Sequence, residues 1–172
     1  MLSSIDQAHC DLIYGLAVSL KPVNILEIGY GEGASARALW DAMCFNGNLC
    51  RYTIVDNWLG HQGKPPIEVQ EHEIYSMSEE EFYRDRADSD YSYDLILSDA
   101  DHGQADRWFD LSLRMLRSPG LLIYHDVTNA NHPNLRQLIS MAITAGLPSL
   151  IFDKSTRPDE HCERGLLIIS KV

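Results

Sequence analysis

The chain has 172 residues, 45% of them hydrophobic and 23% charged, the balance of one soluble globular domain spanning 1–172. Its formal net charge of −11 argues against a phosphate-backbone partner, which needs a basic footprint, and against an anionic membrane surface, so neither nucleic acid nor membrane is an expected partner. The opening MLSSIDQAHC shows no basic region before an apolar run, and no apolar stretch is long enough to span a bilayer. Cys10, Cys44, Cys50 and Cys162 form no CxxC pair, so reduced thiols and a cytoplasmic location are expected.

Residues 4–20 read as a helix with Ile5, Cys10, Leu12, Ile13, Leu16 and Leu20 on its apolar side. VNILEIG is a short continuous apolar run, which marks a strand covered on both faces. A helix over 33–45 follows, with Ala34, Ala38, Leu39, Ala42 and Met43 inward, ended by NGN at 46–48. YTIVD (52–56), EIYSM (73–77) and YDLILSD (93–99) are the next strands, and SEEEFYRD (78–85) reads as a solvated helix face. A helix over 104–117 buries Ala105, Trp108, Leu111, Met115 and Leu116. PGLLIYHD then enters a fifth strand, and Pro133 opens a helix that runs to about Ala145. SLIFD and GLLIISKV are the final strands. The polar KSTRPDEHCER between them is too short for a crossover helix, so these two strands should be antiparallel. The whole is an α/β doubly wound, mostly parallel sheet with one antiparallel strand.

The stretch NILEIGYGEG places Gly29, Gly31 and Gly33 between a strand and a helix. This fits both GxGxG and the dinucleotide pattern, and without a ligand it would simply be a tight turn. With one, backbone amides at a helix start would face a polar small molecule. Asp56, which ends the second strand, could then grip two ribose hydroxyls. NAD and S-adenosylmethionine both carry an adenosine. Glu27, two positions before Gly29, would oppose an anionic pyrophosphate and suit the cationic sulfonium and amino groups. Tyr30 within the turn, Asn57 and Trp58 after Asp56, Ser78 after the third strand and Asp99 complete the expected cofactor contacts.

At these residues the sequence resembles the class I S-adenosylmethionine-dependent methyltransferases, from about Val23 to the C-terminus. EIGYGEG resembles the family's glycine-rich first motif and YTIVDNW its second. YDLILSDADH with LLIYHD is similar to a subgroup of small-molecule O-methyltransferases, some of them dependent on a divalent metal. The resemblance implies a Rossmann-like seven-stranded sheet in the order 3-2-1-4-5-7-6, with strand seven antiparallel and helices on both faces. The segment NWLGHQGKPPIEVQ departs from the family, since its glycines and paired prolines suit a loop rather than a helix.

Asp99 ends strand four, and His125 and Asp126 end strand five, so the three would converge at the carboxyl edge of the sheet as ligands for Mg²⁺ or Mn²⁺. Alternatively the carboxylates only cap loop amides. His102 is the candidate general base, with loop capping as its alternative role, and Asp99 the second candidate catalytic residue. Loops 57–70 and 154–164, the latter with Arg157, His161 and Arg164, are expected to set specificity for a small-molecule acceptor, the arginines favouring an anionic one. A non-catalytic binding module of the same fold and an NAD-dependent oxidoreductase are the alternative functions. The oligomeric state is left open, a homodimer included.

Overall fold

Asp6 opens the first helix, α1 (Gln7–Leu20), by accepting the Ala8 N–H at 2.8 Å, and Lys21 closes it in the left-handed conformation. The computed structural model describes residues 5–47, 49–66, 72–86, 92–153 and 164–172. Seven strands follow α1: β1 (Asn24–Ile28), β2 (Arg51–Asp56), β3 (Glu73–Ser76), β4 (Tyr93–Ser98), β5 (Leu116–Tyr124), β6 (Ser149–Phe152) and β7 (Leu166–Lys171). Four further helices lie between them: α2 (Ala34–Asn46), α3 (Glu79–Arg86), α4 (Phe109–Met115) and α5 (Pro133–Thr144).

The sheet order is β3-β2-β1-β4-β5-β7-β6. The β1–β2, β1–β4, β2–β3 and β4–β5 pairs are parallel, and β7 runs antiparallel to both β5 and β6. This is the expected Rossmann-like methyltransferase topology, hairpin included. Successive strand residues face opposite layers. Ile25, Ile54, Leu95 and Leu97 join one core with Ile13 of α1 and Leu39 of α2. Leu26, Ile28 and Ile96 join the other, with Phe82, Phe109 and Leu138 from α3, α4 and α5. Both faces are covered, which is why β1 and β4 read as continuous apolar runs.

Two elements differ from the sequence reading. The expected helix over 104–117 is a 3₁₀ turn (Ala105–Trp108) followed by α4, and Leu116 is already extended and paired opposite Tyr93. The acidic α3 is more than a solvated face. Ser78 and Glu81 close a reciprocal cap at its start, and Glu79, Phe82 and Tyr83 are buried. Between β2 and β3 a 3₁₀ turn, Leu59–His61, is the one regular element among the described residues. Among the described residues no helix is long and apolar enough to cross a membrane.

Candidate active site

Registration of the parallel strands builds the site. Ile28 pairs with Val55 on one side and Ser98 on the other, and Ser98 pairs with Tyr124, so β2, β1, β4 and β5 end in line. The ladder continues one residue further. Gly29 N–H donates to the Val55 carbonyl at 2.8 Å, Asp99 N–H to Ile28 at 2.8 Å and His125 N–H to Ser98 at 3.1 Å. Asp56, Gly29, Asp99 and His125 therefore stand along one carboxyl edge, where ligands bind in open α/β sheets.

A cavity of about 390 Å³ opens over that edge. Gly29, Gly31, Asp56, Asn57, Ser78 and Asp99, six of the expected cofactor contacts, line it together with Glu79, Glu80, Asp101, Gln104 and Trp108. Asp56, Glu79, Glu80, Asp99 and Asp101 give its wall five acidic residues, and among the described residues no lysine or arginine lines it. Both Asp56 oxygens accept backbone N–H groups, from Tyr30 at 2.8 Å and Trp58 at 2.5 Å. Each keeps a second lone pair for a ligand hydroxyl.

The glycines divide the work. Gly29 is left-handed, and a Cβ there would collide with the Asp99 backbone at the end of the neighbouring strand. Gly33, also left-handed, lies against the Tyr30 ring, away from the cavity lining. Gly31 lines the cavity with a φ of 53°, and its carbonyl accepts the His61 ring N–H at 2.7 Å. Close packing of the protein on itself thus accounts for Gly29 and Gly33 without a ligand.

Three other expected contacts lie off the cavity wall. Glu27 is fully buried on the α2 side of β1, where Ser35 donates to it at 2.5 Å and the Tyr52 hydroxyl bonds its other oxygen. Burial drives its pKa up to about 7 against the lowering effect of those two donors. Trp58 is fully buried, donates its indole N–H to Ser76 at 3.1 Å and packs on Tyr30, itself buried. Trp58 thereby anchors the loop after β2. The carboxylates facing the cavity come instead from the ends of β2 and β4 and from α3.

Beyond Asp99 lies a polar cluster. His125 is 1% exposed, its Nδ1 3.0 Å from Asp99 Oδ1 and 3.5 Å from Asp126 Oδ1. Its Nε2 meets Nδ1 of His9, a fully buried residue of α1, at 3.2 Å. His102 Nε2 lies 3.3 Å from Asp126 Oδ2 and 4.0 Å from Asp99 Oδ1. Burial acts to lower the His102 and His125 pKa values, but the neighbouring carboxylates outweigh it and raise both. Burial likewise works to raise Asp126, and the hydrogen bond from His102 with the charges of His125, His102 and Arg164 brings it below the usual carboxylate value. These shifts describe a site that favours positive charge, whether as protons on imidazole or as a cation. Asp99, His125 and Asp126 each turn one donor atom to within 4.8 Å of the others, which fits a divalent ion. Asp126 holds a left-handed backbone, φ 60°, to reach this place.

A family model described as a methyltransferase domain matches residues 26–127. The chain belongs to this methyltransferase family. No curated protein matches it. Among solved structures, the methyltransferase domain is similar to the O-methyltransferase from Bacillus cereus in complex with S-adenosylhomocysteine (SAH), at a TM-score of 0.79 and 14% identity over 99% of this chain and 84% of that one. The cofactor-bound Rv0187 from MTB gives 0.78 and 16%, over 97% and 81%. The O-methyltransferase TomG from Streptomyces achromogenes, in complex with S-adenosylmethionine, gives 0.72 and 16%, over 98% and 82%.

Sequence reading of this methyltransferase domain missed Glu79, Trp108 and His9. Phe82 and Tyr83 inside the acidic run were the available sign that α3 packs inward and carries Glu79 with it. Trp108 stacks on Tyr83 with centroids 5.2 Å apart and so forms cavity wall rather than deep core. Nothing local points His9 at a residue 116 positions away. Arg164 lies 4.0 Å from Asp126, so the described end of loop 154–164 borders the site, while Arg157 and His161 lie outside the described residues. In loop 57–70, Asn57 and Gly60 line the cavity.

Proposed function

We propose that this methyltransferase domain binds S-adenosylmethionine in the acidic cavity and transfers its methyl group to a hydroxyl oxygen of a small acceptor. The observation that carries this is the cavity wall itself, with five acidic residues and, among the described residues, neither lysine nor arginine. A cationic sulfonium and amino group suit it, whereas the pyrophosphate of NAD would be repelled. The S-adenosylmethionine and SAH complexes among the similar structures support the same cofactor.

In this reading Asp56 takes the ribose hydroxyls, and Gly31 lets the turn approach the ligand. The acceptor hydroxyl lies toward His102, which takes its proton as the oxygen–methyl bond forms and the sulfur–methyl bond breaks, releasing a neutral thioether. Asp126 holds His102 in place. Asp99, His125 and Asp126 would hold Mg²⁺ or Mn²⁺, which would lower the acceptor's pKa. His9, bonded to the far nitrogen of His125, fixes that ring with Nδ1 toward the carboxylates.

Calorimetry tests the cofactor directly. SAH should bind and NADH should not; the reverse would overturn the assignment. Asp56→Ala should weaken SAH binding about 10- to 150-fold through loss of a charge-assisted bidentate contact. Because the Tyr30 and Trp58 N–H groups also lose their acceptor, a melting curve should accompany the titration. An unchanged affinity in a folded variant removes Asp56 from the ribose site. Excess chelator should abolish turnover, with Mg²⁺ or Mn²⁺ restoring it. Full activity in chelator would remove the metal and leave the methyl transfer standing.

A further inference from the structure

His132 has no part in the roles above, yet the chain is folded to bring it back to the site. From Asp126 it makes two successive turns, with Asn129 N–H on the Asp126 carbonyl at 3.0 Å and His132 N–H on the Asn129 carbonyl at 3.1 Å. His132 then stands at the N-cap of α5, its own carbonyl accepting Leu135 N–H at 3.1 Å. Its ring centroid lies 4.3 Å from that of His102, tilted by 57° rather than stacked flat. One donor atom from each of His102, Asp126 and His132 lies within 4.8 Å of the other two.

Asp126 serves two directions at once. Oδ1 faces His125, at 3.5 Å, and Oδ2 faces His102, at 3.3 Å. The first side offers two carboxylates and one imidazole. The second offers two imidazoles and one carboxylate, on half-buried histidines that solvent can reach. Oxygen donors suit Mg²⁺, whereas imidazole pairs suit Fe²⁺, Co²⁺, Ni²⁺, Cu²⁺ and Zn²⁺. We propose that His102, Asp126 and His132 form a second metal position, selective for a transition-metal ion and joined to the first through the Asp126 carboxylate. Ion binding there uses the His102 lone pair, so it excludes proton acceptance by that ring. Binding itself depends only on the three side chains and is independent of the methyl-transfer reading.

Co²⁺ is the probe, titrated into the full chain and followed by its visible d–d absorption and by calorimetry. Wild type should bind Co²⁺ with a band indicating nitrogen coordination, and excess Mg²⁺ should not displace it. His132→Ala should weaken Co²⁺ binding at least about tenfold, the lower end of the loss found for mere supporting residues. Its melting curve and SAH affinity should stay unchanged. Asp99→Asn removes a donor of the first position only and should keep the Co²⁺ band. Absence of Co²⁺ binding in wild type overturns the proposal. So does binding that survives His132→Ala, or that is lost in a folded Asp99→Asn protein.

Discussion

His102→Ala is expected to lower kcat by about 10²- to 10⁴-fold, the usual contribution of a positioned general base. The assay is SAH release, run with an acceptor taken from panels of hydroxylated aromatics and sugars. His102 is held beside Asp126 but does not line the cofactor cavity, so SAH affinity should not change. Added imidazole should restore part of the lost rate, because a small diffusible base can fill the space of the missing ring. A purely structural histidine would show no such rescue. A kcat within threefold of wild type would remove His102 from the reaction and return it to the role of a loop residue held by Asp126.

The strand ends were legible because parallel packing leaves few choices. Apolar runs such as NILEI and YDLILS have to be central strands, and central parallel strands put their carboxyl ends together. Asp56, Asp99, His125 and Asp126 were found this way, each by its place just at or past a strand end. Glu27 shows the limit of the same reasoning. It lies within β1, one residue before Ile28, so its side chain follows Ile25 onto the α2 face and not into the cavity. Alternation along the strand decides its direction, and proximity to the glycine turn does not. His9 and His132 were beyond reach for another reason. His9 is brought to the cluster by the tertiary packing of α1, and His132 by a local double turn from Asp126. Periodicity carries no record of such contacts.

Stability should fall as pH rises from about 4.5 to about 7, and Glu27 and Glu79 should be the cause. Both are buried, and burial raises each from the ordinary value of 4.5 to about 7. Ser35 and Tyr52 partly offset it at Glu27, as the Asp101 N–H and the Ser98 hydroxyl do at Glu79. Between these limits the folded protein holds protons that the unfolded chain has released. The number bound is then greater in the folded state, and the derivative of unfolding free energy with pH is negative. The stabilisation is complete below pH 4.5 and gone above the folded value. Each group accounts for about 3 kcal/mol, which for a chain of this size corresponds to roughly 6–12 °C in Tm. Glu27→Gln keeps the shape and lets both hydroxyls bond an amide, so it should remove about half of the slope below about pH 6.5, and Glu79→Gln most of the remainder; above about pH 6.5 the raised His102 and His125 add their own fall. Urea unfolding at pH 5 and pH 6.5 measures this, and an unaltered difference in Glu27→Gln would show that the buried Glu27 carboxyl is not the group that titrates. The two sites then separate through the cofactor. Glu79 lines the cavity and Glu27 does not, so a cationic ligand should expel the proton of Glu79 alone. Near pH 6, S-adenosylmethionine binding should release a proton, seen as a calorimetric enthalpy that changes with buffer ionisation. The release should vanish in Glu79→Gln and persist in Glu27→Gln; the opposite pattern would place the cationic end of the ligand away from α3.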